Sequence, residues 1–170
     1  MATTITGTSV TSDGLVTNTL GTSNFVAGVN AGNSIVSGGD NNTAVGDEAG
    51  TAITTGDSNA AFGSNALDAT TTGSFNTAVG RHSLSANTTA GENTGIGGSS
   101  LRNNTTGANN TAVGTGSLQA NTTAASNTAV GHSALTANTT GADNVAVGYG
   151  SLKNNTTAND NTALGKTALY

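Results

Sequence analysis

The chain has 170 residues and a formal net charge of −5, with only four Lys or Arg residues. So few basic residues give no electrostatic footprint for nucleic acid or for an anionic membrane, and no apolar run approaches the length of a membrane helix. Fewer than one residue in five is Leu, Ile, Val or Phe, which is too few for a conventional core, yet only 8% of residues are charged, unlike a disordered chain. No cysteine is present to form a disulfide framework.

Residues 1–41 do not keep the period of the rest of the chain. Ile5, Val10 and Leu15 lie among Thr, Ser and Gly, which indicates short strands and turns. The stretch 24–28, Asn-Phe-Val-Ala-Gly, is an out-of-phase copy of the later repeat, with one extra residue before Asn42. We predict that this region is an adapter that caps the first regular turn, attaches the protein to a partner, or does both. Its opening lacks the basic and apolar segments of a signal peptide, so we expect assembly in a cytoplasm.

Residues 42–170 contain eight copies of one 17-residue phrase without an insertion, the last copy ending at its tenth residue. We number the positions of the phrase 1 to 17 from its first asparagine. Averaged over the copies, it reads Asn-Thr-Ala-Val-Gly at positions 1–5, Leu at position 9 and Asn-Thr-Thr at positions 12–14. A fixed period of this kind indicates identical structural units stacked on one another.

Several features of the phrase predict strands and corners. Asn, Thr and Gly at this density are poor helix formers, whereas the second to fourth residues suit a short strand. The glycine at position 5 marks one corner and the Asn-Thr-Thr run marks another, because these residues satisfy turn geometry locally. We therefore predict an all-β, parallel β-solenoid or β-roll with 17-residue turns, in which identical residues stack at about 4.8 Å and form asparagine ladders.

Strand alternation places position 3 on the opposite face from positions 2 and 4. Position 4 is always large and apolar, so we predict that it fills the core together with the leucines of position 9. These core positions are Val45, Phe62, Val79, Ile96, Val113, Val130, Val147 and Leu164, with Leu67, Leu84, Leu101, Leu118, Leu135, Leu152 and Leu169. Position 3 never exceeds a methyl group, which predicts close packing against a neighbouring chain by Ala44, Ala61, Ala78, Gly95, Ala112, Ala129, Ala146 and Ala163.

The sequence offers little chemistry for catalysis. The two histidines occupy different positions in different copies, the serines have no partnered histidine and acid, and no calcium-binding nonapeptide recurs. We expect no catalytic, cofactor or metal site. The variable positions 6, 7 and 10 are predicted to project outward, where a target surface could be contacted by Arg81, His82, Arg102, His132, Tyr149, Lys153 and Tyr170.

The repeat resembles two families of surface proteins. The stretch 143–148, Asp-Asn-Val-Ala-Val-Gly, is similar to the Asn-Ser-Val-Ala-Ile-Gly phrase in the heads of trimeric autotransporter adhesins. Those heads are left-handed parallel β-rolls of three chains, with shorter turns. The longer phrase, with its Asn-Thr-Thr-Gly half, is similar to repeats in bacteriophage fibre and tail-fibre proteins, notably those of marine and cyanobacterial phages. The resemblance covers residues 42–170 and implies a left-handed homotrimer.

The resemblance also implies a function. An autotransporter would need a signal peptide, a coiled-coil stalk and a membrane barrel; the sequence contains none of them, which favours a virion fibre assembled in the host cytoplasm. We expect a non-enzymatic shaft that joins other virion proteins through its N-terminal region and contacts a host glycan or protein. Two alternatives are the head of a bacterial cell-surface adhesin and a threonine-rich ice-binding solenoid. The paired threonines of positions 13 and 14 would point to opposite sides of a strand, so only one of each pair can lie in an outward array.

Overall fold

The computed structural model describes residues 21–170 as one parallel β-solenoid. Its nine strands of three residues pair in chain order in a single sheet, and no helix occurs among these residues. The strands are β1 (Phe25–Ala27), β2 (Thr43–Val45), β3 (Ala60–Phe62), β4 (Thr77–Val79), β5 (Thr94–Ile96), β6 (Thr111–Val113), β7 (Thr128–Val130), β8 (Val145–Val147) and β9 (Thr162–Leu164). The predicted fold class and the 17-residue turn are confirmed.

The register of the sheet places identical positions of successive copies above one another. Between β5 and β6, for example, Thr94 pairs with Thr111 and Ile96 with Val113. We call each such turn a rung. The strand β1 pairs with β2 across a spacing of 18 residues, so the out-of-phase copy at 24–28 forms an additional rung inside the predicted adapter. Ile5, Val10 and Leu15 lie outside the described residues, and the adapter role of 1–41 remains a prediction.

The corner after each strand depends on the glycine of position 5. From Gly46 to Gly165, these glycines have φ between 123° and 133°, a conformation that other residues avoid. A Cβ on Gly97 would lie 2.6 Å from the carbonyl carbon of Gly114 in the next rung, so a side chain has no room there either. This glycine corner was predicted from the sequence.

A second corner lies at the leucine of position 9. The leucines from Leu67 to Leu169 have φ between 49° and 52°, in the left-handed region that bulky residues seldom occupy. Leu67, Leu84, Leu101, Leu118 and Leu135 are fully buried, which confirms their predicted place in the core. Their burial explains why the unfavourable backbone conformation is tolerated. Leu169 is instead 63% exposed, because no rung of the described chain covers it.

The two faces of the strands are reversed relative to the prediction. Position 3 is the inward position: Ala44, Ala61, Ala78, Ala112, Ala129 and Ala146 are completely buried within the single chain. Position 4 is the outward position, with Phe62 42% and Ile96 39% exposed. The prediction that position 4 fills the core and that position 3 contacts another chain is therefore wrong.

Crowding inside the rung explains this reversal. A Cβ placed on Gly95 would lie 2.6 Å from Ser83 Oγ and 3.3 Å from Leu84 Cγ, so position 3 faces the side chains of positions 8 and 9 at short range. In the rungs that carry leucine at position 9, the interior is too narrow for a valine. In the rung of β1, Gly32 takes the place of the leucine, and Val26 fills the inward position and is fully buried. Position 3 is kept small by its own chain, and the larger residue of position 4 is left on the outside.

Two ladders of buried asparagines complete the interior. At position 1, the Asn110 backbone N–H and its Nδ2 both donate to Asn93 Oδ1, at 2.9 and 3.3 Å. At position 12, Asn104 Nδ2 donates to Asn87 Oδ1 at 3.1 Å. The ladders converge on the carbonyl of position 15; in one rung, the Ala124 oxygen accepts from Asn110 at 2.8 Å and from Asn121 at 3.0 Å. Each rung is thus closed by side-chain amides, and the predicted asparagine ladders are confirmed.

Candidate functional site

The outward side chains of the sheet form a continuous surface along the described chain, which we call the sheet face. It consists of positions 2 and 4 of the regular rungs together with Phe25 and Ala27 of β1, and none of these side chains is charged. With nine strands about 4.8 Å apart and about 3.3 Å per strand residue, the face measures roughly 40 by 10 Å. Its apolar side chains lie mainly at position 4, beside a column at position 2 that is mostly threonine, so the face is uncharged and partly apolar. The sheet face is therefore the first candidate for a functional surface.

One border of the sheet face carries every basic residue of the protein. Positions 6, 7 and 10 follow the strand, and hydrogen bonds from Asn65 Nδ2 to Asp68 Oδ2 and from Thr51 Oγ1 to Glu48 Oε2 show that positions 7 and 10 adjoin. The seven predicted contact residues all lie on this side, and Arg81, Arg102 and His132 are exposed. From the rung of Asn76 onward its ionisable side chains are Arg81, His82, Arg102, His132, Tyr149, Lys153, Lys166 and Tyr170, and we call this region the basic edge.

Ring and cation contacts order the far end of the basic edge. The His132 and Tyr149 rings stack with centroids 5.3 Å apart, and Lys166 Nζ lies 5.9 Å from the Tyr149 ring centroid. Lys153 Nζ lies 5.5 Å from the ring centroid of Tyr170. Cation–π contacts of this kind stabilise exposed sites by about 0.5–1 kcal/mol. Four of the predicted contact residues, His132, Tyr149, Lys153 and Tyr170, are thus brought together in adjacent rungs near one end of the rod, whereas Arg81, His82 and Arg102 lie in earlier rungs.

The opposite border of the sheet face is acidic. Positions 16 and 17 precede the strand, and their charged residues are Asp40, Asp57, Glu92, Asp143 and Asp160, with no basic residue among them. We call this region the acidic edge. The backbone N–H of Thr22 donates to Asp40 Oδ1 at 2.6 Å and lowers the pKa of that carboxyl. Phe75 is 64% exposed on the same border, in a shallow groove beside Glu92 and Asn109.

The first two regular rungs depart from this division because Asp47, Glu48 and Asp68 place acids on the side that later becomes basic. Burial raises the pKa of Asp68, and its Oδ1 is buried without a hydrogen-bond partner. A buried carboxylate oxygen with no donor favours the protonated acid. The described residues contain no group of three His, Asp or Glu side chains arranged to hold a metal ion.

Two further findings bear on function. Within residues 21–170 there is no helix with the length and apolarity needed to cross a bilayer. Comparison with protein families, with curated proteins and with solved structures finds no match to this chain.

Sequence reasoning selected seven of the eight residues of the basic edge, omitting Lys166 although it occupies position 6, and it missed two further features. It did not recognise the sheet face as a surface, because it assigned the large residues to the interior. It also did not notice that the sign of charge depends on repeat position, although that signal is readable by sorting charged residues by position within the 17-residue phrase.

Proposed function

We propose that this protein is a non-enzymatic structural shaft of a fibre or spike, in which three copies pack through their sheet faces. The observation that carries the proposal is the uncharged sheet face, which runs along all nine strands. Depletion of charged residues is the compositional signal of a buried interface, so the lack of charge over such a length favours a surface that another chain covers. A partner of the same kind would bury the exposed parts of Phe62, Val79, Ile96 and Val130.

Self-association also suits a solenoid with so thin an interior. From the rung of Asn76 to that of Asn127, each rung buries one leucine, a few small residues and two asparagines, so apolar burial within one chain compensates only weakly for ordering 17 residues. Most soluble oligomers are closed, cyclic assemblies of identical chains. Three chains is the number implied by the resemblance to autotransporter heads and phage fibres.

The biological setting of the proposal comes from the same resemblance. The protein would belong to a virion, joined to other virion proteins through residues 1–41, with the basic edge directed at a host glycan or protein. The alternative setting is the extracellular surface of a bacterium, with the repeats serving as an adhesin head. In both settings the rod acts as a stiff spacer, because a continuous backbone ladder has no hinge between rungs.

Native mass measurement across a range of protein concentrations tests the self-association. We expect a species of three times the 16.3 kDa chain. Replacing Val113 and Val130 on the sheet face by Asp should dissociate it, because charges would be buried without partners. The matched control is Thr106→Asp with Thr123→Asp, which places the same charges on exposed position 14, away from the sheet. A wild-type chain that stays monomeric at every concentration would refute the proposed function.

Ice binding is a second candidate, and one observation favours it. Threonine occupies six of the eight regular copies of position 2, beside the apolar residue of position 4, so the sheet face presents a regular methyl-rich lattice. Position 14 adds a row of exposed threonines, whereas position 13 hydroxyls such as Thr105 Oγ1 donate to the next rung. Thermal hysteresis of the monomeric chain would support this candidate, and its absence would exclude it.

A further inference from the structure

The charges of the regular rungs are sorted by edge in a way that one isolated chain does not require. From the rung of Asn76 to the end of the chain, all four Lys and Arg residues lie on the basic edge, and the three acidic residues Glu92, Asp143 and Asp160 lie on the acidic edge. Positions 16 and 17 lead directly into the strand, positions 6 and 7 directly follow the glycine corner after it, and position 10 adjoins position 7. The separation keeps opposite charges apart within a chain and presents them to a neighbour.

The axial positions of these charges also match. Arg102 follows Glu92 by ten residues and Lys153 follows Asp143 by ten, while Lys166 follows Asp160 by six. Since a 17-residue turn rises about 4.8 Å, ten residues correspond to a rise of roughly 3 Å and six to roughly 2 Å. Each acid therefore has a base at nearly its own height on the other edge. Long Arg and Lys side chains readily cover such an offset.

The two charged edges allow a parallel ring of chains to be compared with an antiparallel pair. In a ring of parallel rods around an axis along the rods, the edge after the strand in one chain meets the edge before the strand in the next. Cyclic symmetry also forbids any axial shift between the chains. Acidic edges then meet basic edges at matching heights. In an antiparallel pair joined through the sheet faces, acidic edges would meet acidic edges. The opposite side would be reversed end to end, so the C-terminal bases of one chain would face Asp47, Glu48 and Asp68 of the other. Repulsion between the acidic edges is therefore what disfavours the antiparallel pair.

We propose that the chains of the fibre run parallel and in axial register, and that ion pairs between the acidic edge of one chain and the basic edge of the next select this arrangement. The predicted pairs are Glu92 with Arg102, Asp143 with Lys153, and Asp160 with Lys166. The inference rests on the proposed function, because it presupposes that the sheet faces associate. It adds the direction, the register and the residues that specify them.

Energetics assigns the two surfaces different roles. Exposed ion pairs contribute about 0–1 kcal/mol each, so the edges add little to affinity compared with the sheet face. Charge pairing is better at excluding wrong partners, because like charges placed opposite each other are costly. The first two regular rungs, which carry Asp47, Glu48 and Asp68, have acids on both sides of the sheet. In the parallel ring these acids would face acids of the neighbouring chain and repel them. The parallel assembly is therefore held more loosely at that end.

Charge exchange between the edges tests the inference. One variant reverses the acidic edge (Glu92→Lys, Asp143→Lys, Asp160→Lys), a second reverses the basic edge (Arg102→Glu, Lys153→Glu, Lys166→Glu), and a third carries all six changes. All six side chains are exposed or half-buried, so each variant should keep the fold, which circular dichroism checks. We expect each single-edge variant to associate at least about tenfold more weakly than wild type at low salt. The six-change variant should recover most of the loss, because its edges are again complementary in a parallel ring.

The outcomes separate this inference from the proposal beneath it. A monomeric wild type would overturn the self-association itself. A wild-type oligomer whose affinity is the same in all three variants would overturn only the role of the edges. Failure of the six-change variant to recover, with both single-edge variants weakened, would contradict the parallel arrangement. High salt should reduce the differences among the variants, since screening acts on exposed charges.

Discussion

The sheet and the asparagines of each rung differ in what they bury. We call the asparagines of positions 1 and 12, which both donate to the carbonyl of position 15, the asparagine corner. In the sheet, the small residue of position 3 points inward and the large apolar residue of position 4 points outward. At the corner, polar asparagines such as Asn110 and Asn121 are fully buried. Hydrophobicity alone therefore does not determine which side chains are buried. In a stack of identical rungs, a side chain is buried if it fits the narrow interior and if its polar atoms find hydrogen-bond partners in the rungs above and below.

The difference has a physical cause in the repetition itself. An asparagine that stacks on an asparagine finds a donor and an acceptor at fixed distances in each neighbouring rung, so its burial leaves few polar atoms without partners. A valine on the sheet gains nothing from stacking that an outward threonine would not also gain. Its placement outside would gain apolar burial if another chain covered it, as in the proposed assembly. The asparagines find their partners within the chain, whereas the sheet face keeps partly exposed apolar side chains.

Breaking the asparagine corner should have the largest effect on stability. Asn104→Ala removes an amide that donates to Asn87 Oδ1 at 3.1 Å and to the Gly107 carbonyl at 2.8 Å, and it leaves Asn121 Nδ2 without one acceptor. We expect a loss of about 2–4 kcal/mol in the free energy of unfolding, measured by denaturant titration, because buried polar groups lose their partners. The neighbouring Asn103→Ala is the matched control. Asn103 is exposed at a position where most copies carry alanine, so its loss should change stability by under about 0.5 kcal/mol.

Enlarging the inward residue of a strand should have an intermediate effect on stability. Ala112→Val enlarges a fully buried residue in a narrow interior, and overpacking of this kind typically costs about 1–3 kcal/mol. Val113→Ala, one residue along and on the outward face, should change the stability of the monomer by less than about 0.5 kcal/mol. Thermal unfolding at a concentration where the chain is monomeric compares the two. Equal losses would mean that the faces of the sheet are not as described.

The smallest expected effect concerns Asp68. Burial raises the pKa of its carboxyl, so the folded state favours the protonated acid. Stability from this group is therefore present below the unfolded pKa of about 3.9 and is lost as pH rises through the higher folded pKa. Asp68→Asn should raise the unfolding temperature at neutral pH and have no such advantage at pH 3. Asp160→Asn, which removes the same charge from an exposed position, controls for net charge.

Much of the fold could be predicted from the sequence, because the period fixes what stacks on what. The strands, the glycine corner at Gly97, the buried leucines and the asparagine ladders all follow from identical residues recurring every 17 positions. The left-handed conformation of the leucines could not be predicted, since leucine rarely adopts it.

The facing of the sheet was predicted wrongly for a specific reason. A three-residue strand shows only one alternation, and the choice between faces depends on how wide the interior is. At Gly95 that width is set by Ser83 and Leu84, twelve and eleven residues earlier in the chain, and by Ser100, five residues later. The residues of the strand itself therefore do not indicate how wide the interior is. The candidate site differs: the division of charge by repeat position is readable from the sequence, but recognising the sheet face between the two edges required knowing which strand positions point outward.

Thiol labelling of the sheet face tests the central claim most directly, since the natural chain has no cysteine. With Val113→Cys, we predict rapid modification in the dilute monomer and strong protection at concentrations where the oligomer forms. Thr106→Cys, on exposed position 14, should react at the same rate in both states. If the Val113→Cys thiol reacted slowly in the monomer, the residue would face the interior. If it reacted rapidly in the oligomer, the sheet face would not be the surface through which the chains associate.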